Sequence, residues 1–103
     1  MTFSTPSHAP AKTVLVGPAG MIVSNPPTFE WEAAARAAWY RIYVQRGSVK
    51  VIDQWIEADP GLDLYTWTPA SALTTEEHAW WIGSWNEKTK ATVWSDRMNF
   101  TVP

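Results

Sequence analysis

Eight tryptophans stand in a chain of 103 residues, and they are the side chains whose chemistry most needs explaining. Indole is a broad apolar face with one N–H donor, suited to filling a core, to stacking on a ligand ring and to holding a cation. Two segments carry the rings at a period of two: Trp39-Tyr40-Arg41-Ile42-Tyr43-Val44 and Trp80-Trp81-Ile82-Gly83-Ser84-Trp85. Alternate residues of an extended chain share a side. Trp39, Arg41 and Tyr43 therefore share one side of the first segment, and Trp81, Gly83 and Trp85 one side of the second. The other sides, with Tyr40, Ile42, Val44, Trp80 and Ile82, are aliphatic enough to be the core. Trp31, which alternates with Phe29, belongs with Trp80 in that core. Trp55, Trp67 and Trp94 are assigned to neither side.

The groups that perform catalysis are sparse. His8 lies in a Pro- and Ser-containing lead segment and His78 near a turn, neither with an evident partner. No HExxH, GxSxG, GxGxxG or phosphate-binding loop is present. Zero cysteines exclude disulfides, thiolate metal sites and thiol nucleophiles. Glu57, Asp59 and Asp63 crowd one stretch without the ordered spacing of an EF-hand, so a solvated loop is expected there rather than a calcium site. Glu76-Glu77 reads as a charged turn. The chain is expected not to be an enzyme, and no metal or cofactor is expected.

These side chains must be positioned by short strands. From Lys12 on, runs of alternating hydrophobicity are separated by Pro, Gly, Asn and Asp, the rhythm of an all-β sandwich. The expected strands cover 13–16 with a continuation at 21–23, then 28–32, 39–45, 49–56, 64–68, 79–86 and 92–102. The alanine-rich stretch 32–38 is too short to be a stable helix and is read as a connection. Residues 1–12 have linker composition and 13–103 form one domain, a module of a longer polypeptide. Composition agrees: 46% of residues are hydrophobic and 17% charged, with a net charge of −2, which makes nucleic acid or an anionic membrane a poor partner. No apolar run approaches the ~18 residues of a membrane span.

Four segments carry a further signal: Pro27-Thr28-Phe29-Glu30-Trp31, Ala38-Trp39-Tyr40-Arg41-Ile42-Tyr43-Val44, Trp80 through Asn86, and Trp94-Ser95 with Phe100-Thr101-Val102. Together they resemble the fibronectin type III and immunoglobulin-like Trp-rich modules of bacterial secreted or surface proteins. The resemblance implies a seven-stranded Greek-key β-sandwich. It also implies that segments 39–45 and 79–86 are neighbours in one sheet, so that Trp39, Arg41, Tyr43, Trp81 and Trp85 form one aromatic patch with a cation in its middle and a shallow gap over Gly83. The role implied is that of a non-catalytic, monomeric accessory module of a larger extracellular protein. On this reading the rings bind polysaccharide by stacking, and Arg41 contacts hydroxyls or a uronic carboxylate. The competing role is a spacer or a module docked on a neighbouring domain of the same polypeptide. One departure stands out: where the family has Gly and Tyr at the turn before its sixth strand, this chain has Glu76 and His78.

Overall fold

The computed structural model describes residues 12–103; most of the expected linker, with His8, lies outside them. Nine strands are formed: β1 (Leu15–Gly17), β2 (Gly20–Met21), β3 (Phe29–Glu32), β4 (Trp39–Arg46), β5 (Val49–Glu57), β6 (Leu64–Trp67), β7 (Glu76–Asn86), β8 (Ala91–Trp94) and β9 (Met98–Val102). Among the described residues there is no helix, and the stretch after β3 is a turn and connection. The strands make two sheets facing each other as an open sandwich. The smaller runs β1-β3-β6, and the larger β2-β9-β7-β4-β5 with β8 paired to β7.

Nine strands replace the seven expected, for two local reasons. The expected closing strand 92–102 is broken at Ser95–Arg97. There the Ser95 hydroxyl accepts the Ile82 N–H at 3.0 Å while the Ser95 N–H reaches the Ile82 carbonyl at 2.8 Å. β8 therefore pairs with Gly83–Asn86 and β9 with Glu76–Trp80, two stretches of one long strand. The second reason is Gly20–Met21, which leaves the first strand and pairs in parallel with Phe100–Thr101.

The strand parity read from the alternation holds. Tyr40, Ile42, Val44, Trp80 and Ile82 are buried to within 1% exposure, as are Phe29 and Trp31 from the facing sheet. The core between the sheets is largely aromatic. Trp31 stacks on Tyr65 at 5.8 Å and 6°, and Phe29 meets Trp80 edge-on at 4.9 Å. Three polar ring tips of the core find backbone partners, while Trp31 Nε1 is buried without one. Trp80 Nε1 donates to the Pro18 carbonyl at 3.0 Å, Tyr40 Oη accepts the Ala34 N–H at 2.8 Å, and Tyr65 donates to the Asp59 carbonyl at 2.7 Å. Burial pushes the Tyr40 phenol above its ordinary value.

His78 is buried near the start of β7. Its ring stacks on Phe100 at 5.1 Å and 8°, and Nδ1 lies 3.0 Å from the Glu76 carbonyl. A carbonyl only accepts, so Nδ1 carries the proton and donates; Nε2 is buried without a partner. The turn between β4 and β5 is made by Gly47-Ser48, with Gly47 at φ 61°. A left-handed residue first in a two-residue loop is the II′ geometry that suits the twist of a hairpin. It fixes the register that places β5 beside β4.

Candidate functional site

The solvent face of the larger sheet is laid out in rows by strand register. Trp39 pairs with Trp85 on one side and Glu57 on the other; Arg41 pairs with Gly83 and Trp55; Tyr43 pairs with Trp81 and Asp53. The bulge between β4 and β5 is at Val51 of β5, where Val44 pairs with Ile52 and Gln45 with Lys50, beyond these rows, so the parity that puts the rings outside is intact across the face. The sequence-predicted residues Trp39, Arg41, Tyr43, Trp81 and Trp85 are thus brought together on one surface. β8 adds Trp94, which pairs with Gly83. Trp39, Trp55 and Trp94 are the most open of the rings, at 38, 42 and 39% exposure.

The middle of the face is a built stack. Arg41 Cζ lies 5.5 Å from the Trp55 ring and 5.8 Å from the Trp94 ring. Its Nε and Nη2 donate to the two oxygens of Asp53, both at 2.6 Å. This is the two-pronged geometry in which a planar guanidinium binds a carboxylate most strongly. The hydrogen bonds to Asp53 raise the Arg41 pKa, and the same bonds hold the Asp53 carboxyl below its ordinary value against the opposing effect of burial. Lys50 adds a second cation 3.6 Å from Asp53. Trp55 and Trp94 are two of the three rings that alternation alone does not assign, Trp67 being the third. What locates them is Arg41, since each lies in its row: Trp55 as its direct partner on β5, Trp94 across Gly83.

Two hollows flank the stack. One, of about 530 Å³, is lined by Arg41, Tyr43, Gln45, Trp81, Trp94 and Ser95. The other, of about 440 Å³, is lined by Trp39, Trp55 and Trp85. The gap expected over Gly83 is absent. A Cβ built there would lie 2.7 Å from the Thr92 methyl and 3.1 Å from two Trp94 ring carbons. Glycine is needed so that the protein's own indole can lie over the strand, and no ligand ring can approach there. The rings are also not coplanar, with Tyr43 tilted 50° to Trp81 and 75° to Trp94.

The acidic stretch of the sequence does not converge. Asp59 spends a carboxylate oxygen on the Gly61 N–H at 3.0 Å, as in a local turn, while Glu57 ends β5 on the aromatic face. Among the described residues no group of three or more His, Asp or Glu side chains comes together as a metal site. Among them, too, no helix is long and apolar enough to cross a membrane.

No family model and no curated protein sequence matches this chain. Solved structures do. CopC from Methylosinus trichosporium OB3b superposes with a TM-score of 0.62 at 13% identity, over 87% of this chain and 92% of that one. The likeness is one of fold: an all-β sandwich of similar extent. It corrects the polysaccharide expectation, since the matching structure is CopC and not a sugar-binding module. The face itself agrees with the correction. The tilted rings offer no flat platform, the gap over Gly83 is filled, and Arg41, expected to contact hydroxyls, has Nε and Nη2 held by Asp53.

Proposed function

We propose that this chain is a non-catalytic, immunoglobulin-like or fibronectin type III-like accessory module of a larger extracellular protein, and that the outer face of its larger sheet docks a neighbouring domain of the same polypeptide. The carrying observation is the Trp55–Arg41–Trp94 stack pinned by Asp53. Three features of that stack suit a protein interface. Trp, Tyr and Arg are the residues that dominate interface energetics. The central charge is already paired, so covering it leaves no unpaired ion, the most costly outcome of burial. The rings are held rigid, which lowers the ordering cost of docking.

Magnitude favours a tethered partner over a free one. Trp39, Trp55 and Trp94 leave roughly 300 Å² of indole in water, worth about 7 kcal/mol if fully covered, at ~25 cal/mol/Å². Free association costs on the order of 4–15 kcal/mol, which consumes most or all of that gain. A tether makes docking intramolecular and removes much of the cost. Hydroxyl-radical footprinting tests this. In the isolated module Trp39, Trp55 and Trp94 should oxidise readily, and in the longer polypeptide they should be protected, with buried Trp31 and Trp80 protected in both. Equal oxidation of the exposed rings in both samples would overturn the docking reading.

A further inference from the structure

The face carries a second cluster of indoles with a carboxylate beside it, and this one holds no arginine. In the first, Arg41 lies between Trp55 and Trp94 and forks onto the carboxylate of Asp53. In the second, one row toward the end of β5, Trp39 pairs directly with Trp85 and with Glu57, and Trp55 stands diagonal to Trp39. The three indoles line one open hollow of about 440 Å³; Glu57, not itself in that lining, is exposed on the same face as the cross-strand neighbour of Trp39. Glu57 makes no ion pair among the described residues. The ring edges and faces there are of the kind that attract cations on this very surface: Lys90 reaches from the β7–β8 turn to place Nζ 5.7 Å from the Trp85 ring. It is not among the residues lining the hollow.

We propose that the Trp39–Trp55–Trp85 hollow receives an arginine side chain of the docked domain, with Glu57 as its carboxylate partner. The proposal rests on the docking reading and names the anchor that docking would use. Arginine fits better than lysine because the hollow is lined by three indoles. A guanidinium stacks on indole and is weakly hydrated, whereas an ammonium in the same place forfeits hydration it cannot replace. Arg41 is ion-paired with Asp53 through Nε and Nη2 and makes no ion pair with Glu57 among the described residues.

The test uses the eight indole N–H signals in a ¹H–¹⁵N correlation spectrum of the ¹⁵N-labelled protein. An acetylated, amidated Gly-Arg-Gly peptide is titrated in, beside its citrulline counterpart, which keeps the planar shape but lacks the charge and has a carbonyl oxygen in place of one NH2. The expected result is saturable shifts of Trp39, Trp55 and Trp85, with Trp31 and Trp80 unmoved and the citrulline peptide without saturable effect. Glu57→Gln, at an exposed position that leaves the fold intact, should weaken arginine binding roughly two- to fivefold. Linear, unsaturable shifts, or saturation by both peptides alike, would overturn the arginine anchor. The footprint of the longer polypeptide separates the two readings: rings protected there without arginine binding here means docking by another anchor, and rings unprotected there removes the docking itself.

Discussion

Replacing Asp53 by Asn removes the charge that organises the face while keeping its shape, and the cost can be worked from the structure. Asp53 accepts two hydrogen bonds of 2.6 Å from a guanidinium. Hydrogen bonds to charged groups are worth about 1.5–3 kcal/mol when buried, and exposed ion pairs about 0.2–1 kcal/mol. Side-chain exposures of 33% for Arg41 and 19% for Asp53 place this pair between the two, and Asn retains one acceptor, so the expected loss is about 1–1.5 kcal/mol at pH 7. For a domain of this size that is a fall in Tm of roughly 4–12 °C. The pH dependence has a definite sign. The carboxyl is held below its ordinary value in the folded state, so its contribution is complete above the unfolded value of about 3.9 and is lost as pH falls through the lower folded value. Urea unfolding of Asp53→Asn and the native protein, followed by far-ultraviolet circular dichroism, should therefore show a gap that is constant from pH 7 to about 5 and closes toward pH 2. A gap of a few tenths of a kcal/mol at pH 7, or one that stays open in acid, would refute the account of Asp53 as the ionic pin of the stack.

Other substitutions test separate parts of the structure. Gly83→Ala should destabilise by about 1–3 kcal/mol through overpacking against Thr92 and Trp94, and in a double-mutant cycle with Trp94→Ala the two costs should fall short of their sum. Trp31→Ala, which empties a fully buried site stacked on Tyr65, should cost about 3–5 kcal/mol in denaturant unfolding. His78→Phe should stay within about 1 kcal/mol of the native protein: it loses the bond to Glu76 but removes a buried nitrogen without a partner, and it keeps an aromatic ring against Phe100.

The fold was legible where period and burial agree. From Trp39 to Gln45 in β4 and from Trp80 to Trp85 in β7 the inward residues are aliphatic or large rings except Ser84, and the outward ones polar or aromatic except Gly83, so the alternation could be read without knowing the partner strands. The break at Ser95 was not legible in the same way, because Thr92 to Val102 alternates acceptably on both sides of it. What ends β8 is the hydrogen bond that the Ser95 hydroxyl accepts from the Ile82 N–H, a contact between residues 13 apart that no local pattern announces. Gly20–Met21 escaped for a similar reason: two residues carry no periodicity, and their place is set by the edge of β9.

For the site, residue types identified the face but not what the face does. Trp39, Arg41, Tyr43, Trp81 and Trp85 do share a surface, yet a ring's availability depends on its tilt and on which neighbour covers it, and a cation's on whether it is already paired. All three are decided by β5 and β8. Asp53 takes the donors of Arg41, Trp94 fills the space over Gly83, and Trp55 completes a stack that a reading of two strands could not contain. A cation among indoles therefore reads two ways from sequence, as a reader of ligands or as a brace for rings, and the nearest carboxylate decides between them. Here it turns Arg41 into a brace. By the same logic it leaves Glu57, beside three indoles and without an ion pair among the described residues, as the carboxylate on this face still able to receive one.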